Sequence, residues 1–142
     1  MKKYFVLNMP PWGRRVMVVF GLSKKDTLIA IRKNRFMRII YNKVETDKRF
    51  DDIEGQDEAY TYFDKEHGLF FMYIYSWKDD DDHKEFLVHD VAHIVKDMLT
   101  YIGAQKEDEA TGYTNGWLWR KLVKRLNRIT GQTTTRQTKK LK

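Results

Sequence analysis

Phe86-Leu87-Val88-His89-Asp90-Val91-Ala92-His93-Ile94-Val95-Lys96-Asp97-Met98-Leu99-Thr100-Tyr101-Ile102 is the stretch on which the fold turns. Phe86, Leu87, Val91, Ile94, Val95, Met98, Leu99 and Ile102 recur at the 3.6-residue period of a helix that buries one face, and Gly103 offers the left-handed stop. Ahead of it, Asp79 to Asp82 place carboxylates where the positive end of the helix dipole favours them. Behind it, a second helix is predicted from about Glu107 to Ile129, with Ala110, Tyr113, Trp117, Leu118, Leu122, Val123 and Leu126 as its apolar stripe. Only Gly103 to Lys106 separate the two periodic segments, and so short a connection requires them to pack as antiparallel neighbours.

Working outward, Leu69 to Trp77 and Tyr60 to Phe63 read as strands, joined by Asp64-Lys65-Glu66-His67-Gly68 as a hairpin turn with glycine available for a positive φ. Tyr4 to Met9 and Arg15 to Phe20 make a second hairpin about Pro10-Pro11-Trp12-Gly13. Ser23, with Asp26 three residues on, has the form of a capping box and predicts a first helix over about Lys24–Asn34, while Met37 to Tyr41 suits helix or strand. Asn42 to Ala59 is acidic and nearly periodless, and reads as a long surface loop. The expected fold class is α+β: a small antiparallel sheet with hairpins and an N-terminal helix, packed on a C-terminal antiparallel pair of long helices. Residues 1–130 form one domain on this reading, and 131–142 a basic, disordered tail.

The 142 residues contain no cysteine, so disulfides and thiolate metal cages are excluded, and a metal would need His, carboxylates and water. The formal charge of +7 conceals three blocks of +9 (1–38), −11 (39–109) and +9 (110–142). The last block suits nucleic acid or an acidic partner, yet its tail interleaves no aromatics for base stacking, and a solvated helix face explains it as well. The N-terminus shows no signal-peptide pattern, and no apolar run approaches membrane-spanning length. A cytoplasmic protein without membrane contact is expected.

His89 and His93 stand at i and i+4 on the central helix, where two imidazoles one turn apart can share a metal. The residue after the first histidine, ordinarily a glutamate that activates metal-bound water, is Asp90, one methylene shorter. A third ligand is expected from the first turn of the last helix. Glu109 is preferred because it precedes the small Ala110 on the inward face, with Glu107 and Asp108 behind it. Two imidazoles, one carboxylate and one water make an open zinc site. Tyr113, a turn beyond Glu109, suits an oxyanion-stabilising hydroxyl or a packing tyrosine. His67 and His83 are expected at an exposed turn and a helix start, and Trp12, Trp77, Trp117 and Trp119 as packing residues.

From Tyr60 to Ile129 the chain resembles a family of small phage-encoded, zincin-like metallopeptidases. In these a helix bearing H-E-x-x-H is followed by a helix that opens with E-A-x-x-Y and continues through G-W/Y-L. The matching residues are His89-Asp90-Val91-Ala92-His93, Glu109-Ala110-Thr111-Gly112-Tyr113 and Gly116-Trp117-Leu118. The resemblance implies Zn²⁺ held by His89, His93 and Glu109, with residue 90 as general base. It implies a peptide or protein substrate, and an enzyme acting in the cytoplasm of an infected host. Asp90 departs from the pattern, and a carboxylate displaced by one bond length can cost about 100-fold in rate. On the peptidase reading, Leu69–Tyr75 offers a strand edge for the peptide. Two other readings are a non-enzymatic phage protein that binds a host protein through its acidic middle or basic C-terminal surface, and a nucleic-acid binder using Arg120, Lys121, Lys124, Arg125 and Arg128.

Overall fold

A computed structural model of the chain describes residues 3–9, 13–53, 56, 58–104 and 108–132, without the side chains of residues 108 and 109. Trp12, Lys106, Glu107 and the tail beyond residue 132 lie outside the described residues. In chain order the elements are β1 (Tyr4–Met9), β2 (Arg14–Phe20), α1 (Lys24–Lys33), a 3-10 turn (Arg38–Ile40), α2 (Tyr41–Glu45), α3 (Lys48–Asp51), β3 (Ala59–Asp64), β4 (Leu69–Ile74), α4 (Asp81–Ile102) and α5 (Asp108–Thr130). The α+β architecture read from the sequence is present, with the two long C-terminal helices on a four-stranded sheet.

Strand order is β1-β2-β4-β3. Each hairpin is antiparallel, and the two hairpins meet through a parallel β2–β4 pair with Val16 opposite Phe70 and Phe20 opposite Ile74. This junction was not part of the expectation. It explains why Val16-Met17-Val18-Val19 and Leu69 to Ile74 lack polar alternation, since both strands are covered on both faces. Val16, Val18, Phe70, Met72 and Ile74 face α4 and α5, whereas Met17, Val19, Phe71 and Tyr73 face the short helices. The sheet is therefore the middle of three layers.

The same strand order corrects the expected peptide edge. Leu69–Ile74 has a neighbour on each side, so its backbone hydrogen bonds are committed; among the described residues the edge strands are β1 and β3, and β3 is the one beside α4. Residues 42–59 are also not a loop throughout. They contain part of α2 and all of α3, because Val44, Phe50 and Ile53 bury themselves under the sheet. Phe50 packs edge-on against Tyr73, with ring centroids 5.3 Å apart. One apolar residue per turn among many charges leaves no visible stripe, yet three such anchors hold this segment.

Ser23 caps α1 by accepting from the Asp26 N–H. Asp80 caps α4 by accepting from the His83 N–H, and Gly103 ends it at φ +80°. Gly68 is required twice over: φ is +64°, and a Cβ there would lie 2.7 Å from the Tyr101 ring, where α4 crosses the β3–β4 turn. The antiparallel pairing of α4 and α5 is fastened by polar contacts at the far end from their connection. Asn127, near the end of α5, accepts from Trp77 Nε1 at 2.8 Å and donates to Asp79 Oδ2 at 2.8 Å, just before α4 begins. Gln132 accepts from the Asp79 N–H at 2.7 Å, so the first residues assigned to the tail belong to this fastening. Among the described residues no helix is long and apolar enough to cross a membrane.

Candidate metal centre and the groove beside it

Once α4 turns Leu87, Val91, Ile94, Val95 and Met98 into the core, the helical period leaves His89, Asp90, His93 and Asp97 on the flank beside β3. His89 and His93 are solvent-exposed, and their Nε2 atoms lie 3.1 Å apart with the rings nearly perpendicular at 83°. At that distance one ring can donate to the other. It is also a separation that suits a shared ion: a tetrahedral zinc with nitrogens at 2.0–2.1 Å holds two of them roughly 3.3 Å apart. The donor set, two exposed imidazoles whose Nε2 atoms converge, is of a kind that zinc takes.

Asp90 sits half-buried between this pair and the sheet. Burial pushes its carboxyl up to about 6, with Glu58 reinforcing the shift and His89 opposing it. A carboxyl titrating there is ionised at neutral pH and close enough to it to take a proton and return it. Glu58, immediately before β3, is the partner that sequence reasoning missed. Nothing local marks it, because the two acids are 32 positions apart and meet only when β3 docks against α4.

Two adjoining hollows follow this seam. One, of about 520 Å³, is lined by Glu58, Ala59, Asp82, Glu85, His89 and Asp90, with Phe86 completing it. The other, of about 670 Å³, has β3 residues Tyr60 to Phe63 as its floor, Arg49, Asp52 and Ile53 on one rim, and Asp90, His93 and Asp97 on the other. No described residue of α5 lines either hollow. The Glu109 side chain lies outside the described residues, as do Glu107 and the Asp108 side chain. Tyr113 is 56% exposed, so it does not belong to the buried stripe of α5, and it lies outside both hollows. Leu118, Leu122 and Leu126 form the fully buried part of that stripe.

The other two histidines are elsewhere. His83 is 5% exposed rather than solvated, stacked edge-on against Trp77, with its Nδ1 at 2.7 Å from the capping carboxylate of Asp80. His67 pairs through Nδ1 with the buried Asp64 at 2.8 Å. Asp64, Glu66 and His67 are the one group of three metal-ligating side chains among the described residues whose donor atoms lie within 4.8 Å of one another. Their adjacency in a single turn is visible in the sequence. Asp64 is already engaged by His67 and, at 3.9 Å, by Lys43, an arrangement that locks the turn. No protein-family model, curated protein or solved structure matches this chain.

Proposed function

We propose that this protein is a zinc-binding, zincin-like hydrolase of peptide bonds, related to the small phage-encoded proteins it resembles and acting in a host cytoplasm. The observation that carries the reading is the convergence of the His89 and His93 Nε2 atoms to 3.1 Å beside a half-buried carboxyl. His89 and His93 would hold the ion, and a bound zinc would polarise a carbonyl and acidify a water. Asp90 moves the proton: ionised at neutral pH, it accepts one from the water and returns it to the leaving amine. The open edge of β3, which replaces β4 in this role, orients an extended substrate past the histidines. Glu109 stays the proposed third ligand, whereas Tyr113, exposed and outside both hollows, takes no part as an oxyanion donor.

Metal analysis of protein purified without a histidine tag tests the centre. Stoichiometric zinc that disappears in His89→Ala and in His93→Ala is the expected result, and zinc content indifferent to both substitutions overturns it. Glu109→Gln and Glu58→Gln, titrated alongside, tell a ligand arriving from α5 from one on the β3 side. Peptidase activity present in Asp90→Glu and absent from wild type would assign the natural chain to binding without catalysis.

A second reading rests on α5, where Arg120, Lys121, Lys124 and Arg128 are all exposed. A nucleic-acid contact there predicts affinity for a duplex oligonucleotide that falls steeply with salt, and salt-independent binding discards it.

A further inference from the structure

We infer that the groove along β3 selects an extended, cationic peptide, with lysine or arginine side chains reaching the acids on its walls. This rests on the peptide-hydrolase reading for its purpose, but not on the metal for its physics. Among the described residues no strand pairs with the outer edge of β3, and the strand, Ala59-Tyr60-Thr61-Tyr62-Phe63-Asp64, carries neither lysine nor proline, the usual devices that discourage strand addition. An incoming strand therefore finds a ladder of outward N–H and C=O groups.

The lining of the two hollows is predominantly acidic, with Lys43 standing outside them beside Asp64 at the end of the strand. Asp52, Glu58, Asp82, Glu85, Asp90 and Asp97 line the two hollows, against a single cation, Arg49. Arg49 is already spoken for, since its Nη2 donates to Asp47 Oδ2 at 3.1 Å. The acids stand on both rims, Asp52 beside α3 and Asp97 on α4, so residues pointing to either side of an added strand meet carboxylates. Low surrounding dielectric along the sheet concentrates their field in the groove. An acidic peptide would be repelled along the whole length of the same ladder, and a neutral one would gain the ladder alone.

The test uses a fluorescein-labelled, end-blocked Val-Lys-Val-Lys-Val-Lys peptide and its Val-Glu counterpart, with anisotropy measured on the full chain in EDTA and again with zinc. Binding of the lysine peptide only is expected, accompanied by slowed amide exchange within residues 59–64. Glu58→Lys combined with Asp97→Lys should weaken it on the order of tenfold, whereas Asp26→Lys on α1 should not. Equal binding of the two peptides, or affinity unmoved by the double variant, overturns the inference. Lysine-peptide binding that persists in His89→Ala after zinc is lost separates the two proposals. Zinc uptake by a wild-type chain that binds neither peptide would sink this proposal alone, and lysine-peptide binding by a wild-type chain that takes up no zinc would sink the other.

Discussion

α4 and α5 are 22 and 23 residues long and lie side by side on one face of the sheet, yet their outward faces are opposites. α4 carries five acids and two lysines and turns its histidine pair toward β3; α5 carries five arginines and lysines, with its acids confined to its first two residues. Their buried stripes are interchangeable in kind, Leu87, Val91, Ile94 and Met98 against Leu118, Leu122 and Leu126. Packing therefore specifies a helix through one face only, and leaves the other free to carry charge and chemistry. What distinguishes the two is the neighbour each meets at its flank. α4 borders the edge strand β3, whereas α5 sets the Arg125 guanidinium 4.7 Å from the ring centroid of Phe5 on β1.

The contrast breaks most strongly in the core. Leu122→Ala removes a fully buried side chain of α5 and should cost about 3 kcal/mol in urea unfolding, while the folded fraction keeps the zinc binding proposed for His89 and His93. Loss of zinc binding by folded Leu122→Ala would mean that α5 shapes the centre as well as supporting it. Next in size is the fastening between the helices. Asn127→Leu strands the Trp77 N–H and frees Asp79, for an expected loss of about 2 kcal/mol.

Asp90→Asn should act in the opposite direction. Folding raises the Asp90 pKa from 3.8 to about 6, so the folded chain holds this proton more tightly than the unfolded chain does. The group's contribution is fully present below about pH 4 and is lost as pH rises through 6. The asparagine variant should thus gain about 2 kcal/mol over wild type at pH 8 and almost nothing at pH 4, as thermal melts at the two pH values would show. A gain equal at both would detach the effect from ionisation. Smallest of all, His89→Ala and His93→Ala remove exposed side chains, and apo stability should change by less than about 0.5 kcal/mol. A larger loss would make the pair a structural element of α4.

The legible part of this molecule was whatever its chain encodes within a few residues. The stripe of α4, its Gly103 stop, the Ser23 cap and the i, i+4 histidines are all local, and each stands where periodicity and capping chemistry put it. The rest depended on partners distant in sequence. A strand buried on both faces, such as β4, carries no alternation to say which side pairs with what, so the edge fell to the wrong strand. Phe50 and Ile53 needed the sheet above them before their segment counted as helix rather than loop. Tyr113 belonged to the right period but to its outer margin. Glu58 was invisible for the same reason as the groove itself, because both come into being only at the seam between β3 and α4.

The parallel β2–β4 junction has a consequence for how the protein comes together in time. Each hairpin and each long helix closes over short spans of chain, but Val16 reaches Phe70 only after the 53 residues between them have been gathered in. That closure is the entropically expensive step and should govern the folding rate. The imidazole pair, by contrast, is complete as soon as one helix has formed. A nascent chain thus presents its imidazole pair early and completes the groove along β3 late, when the two halves of the sheet are finally joined.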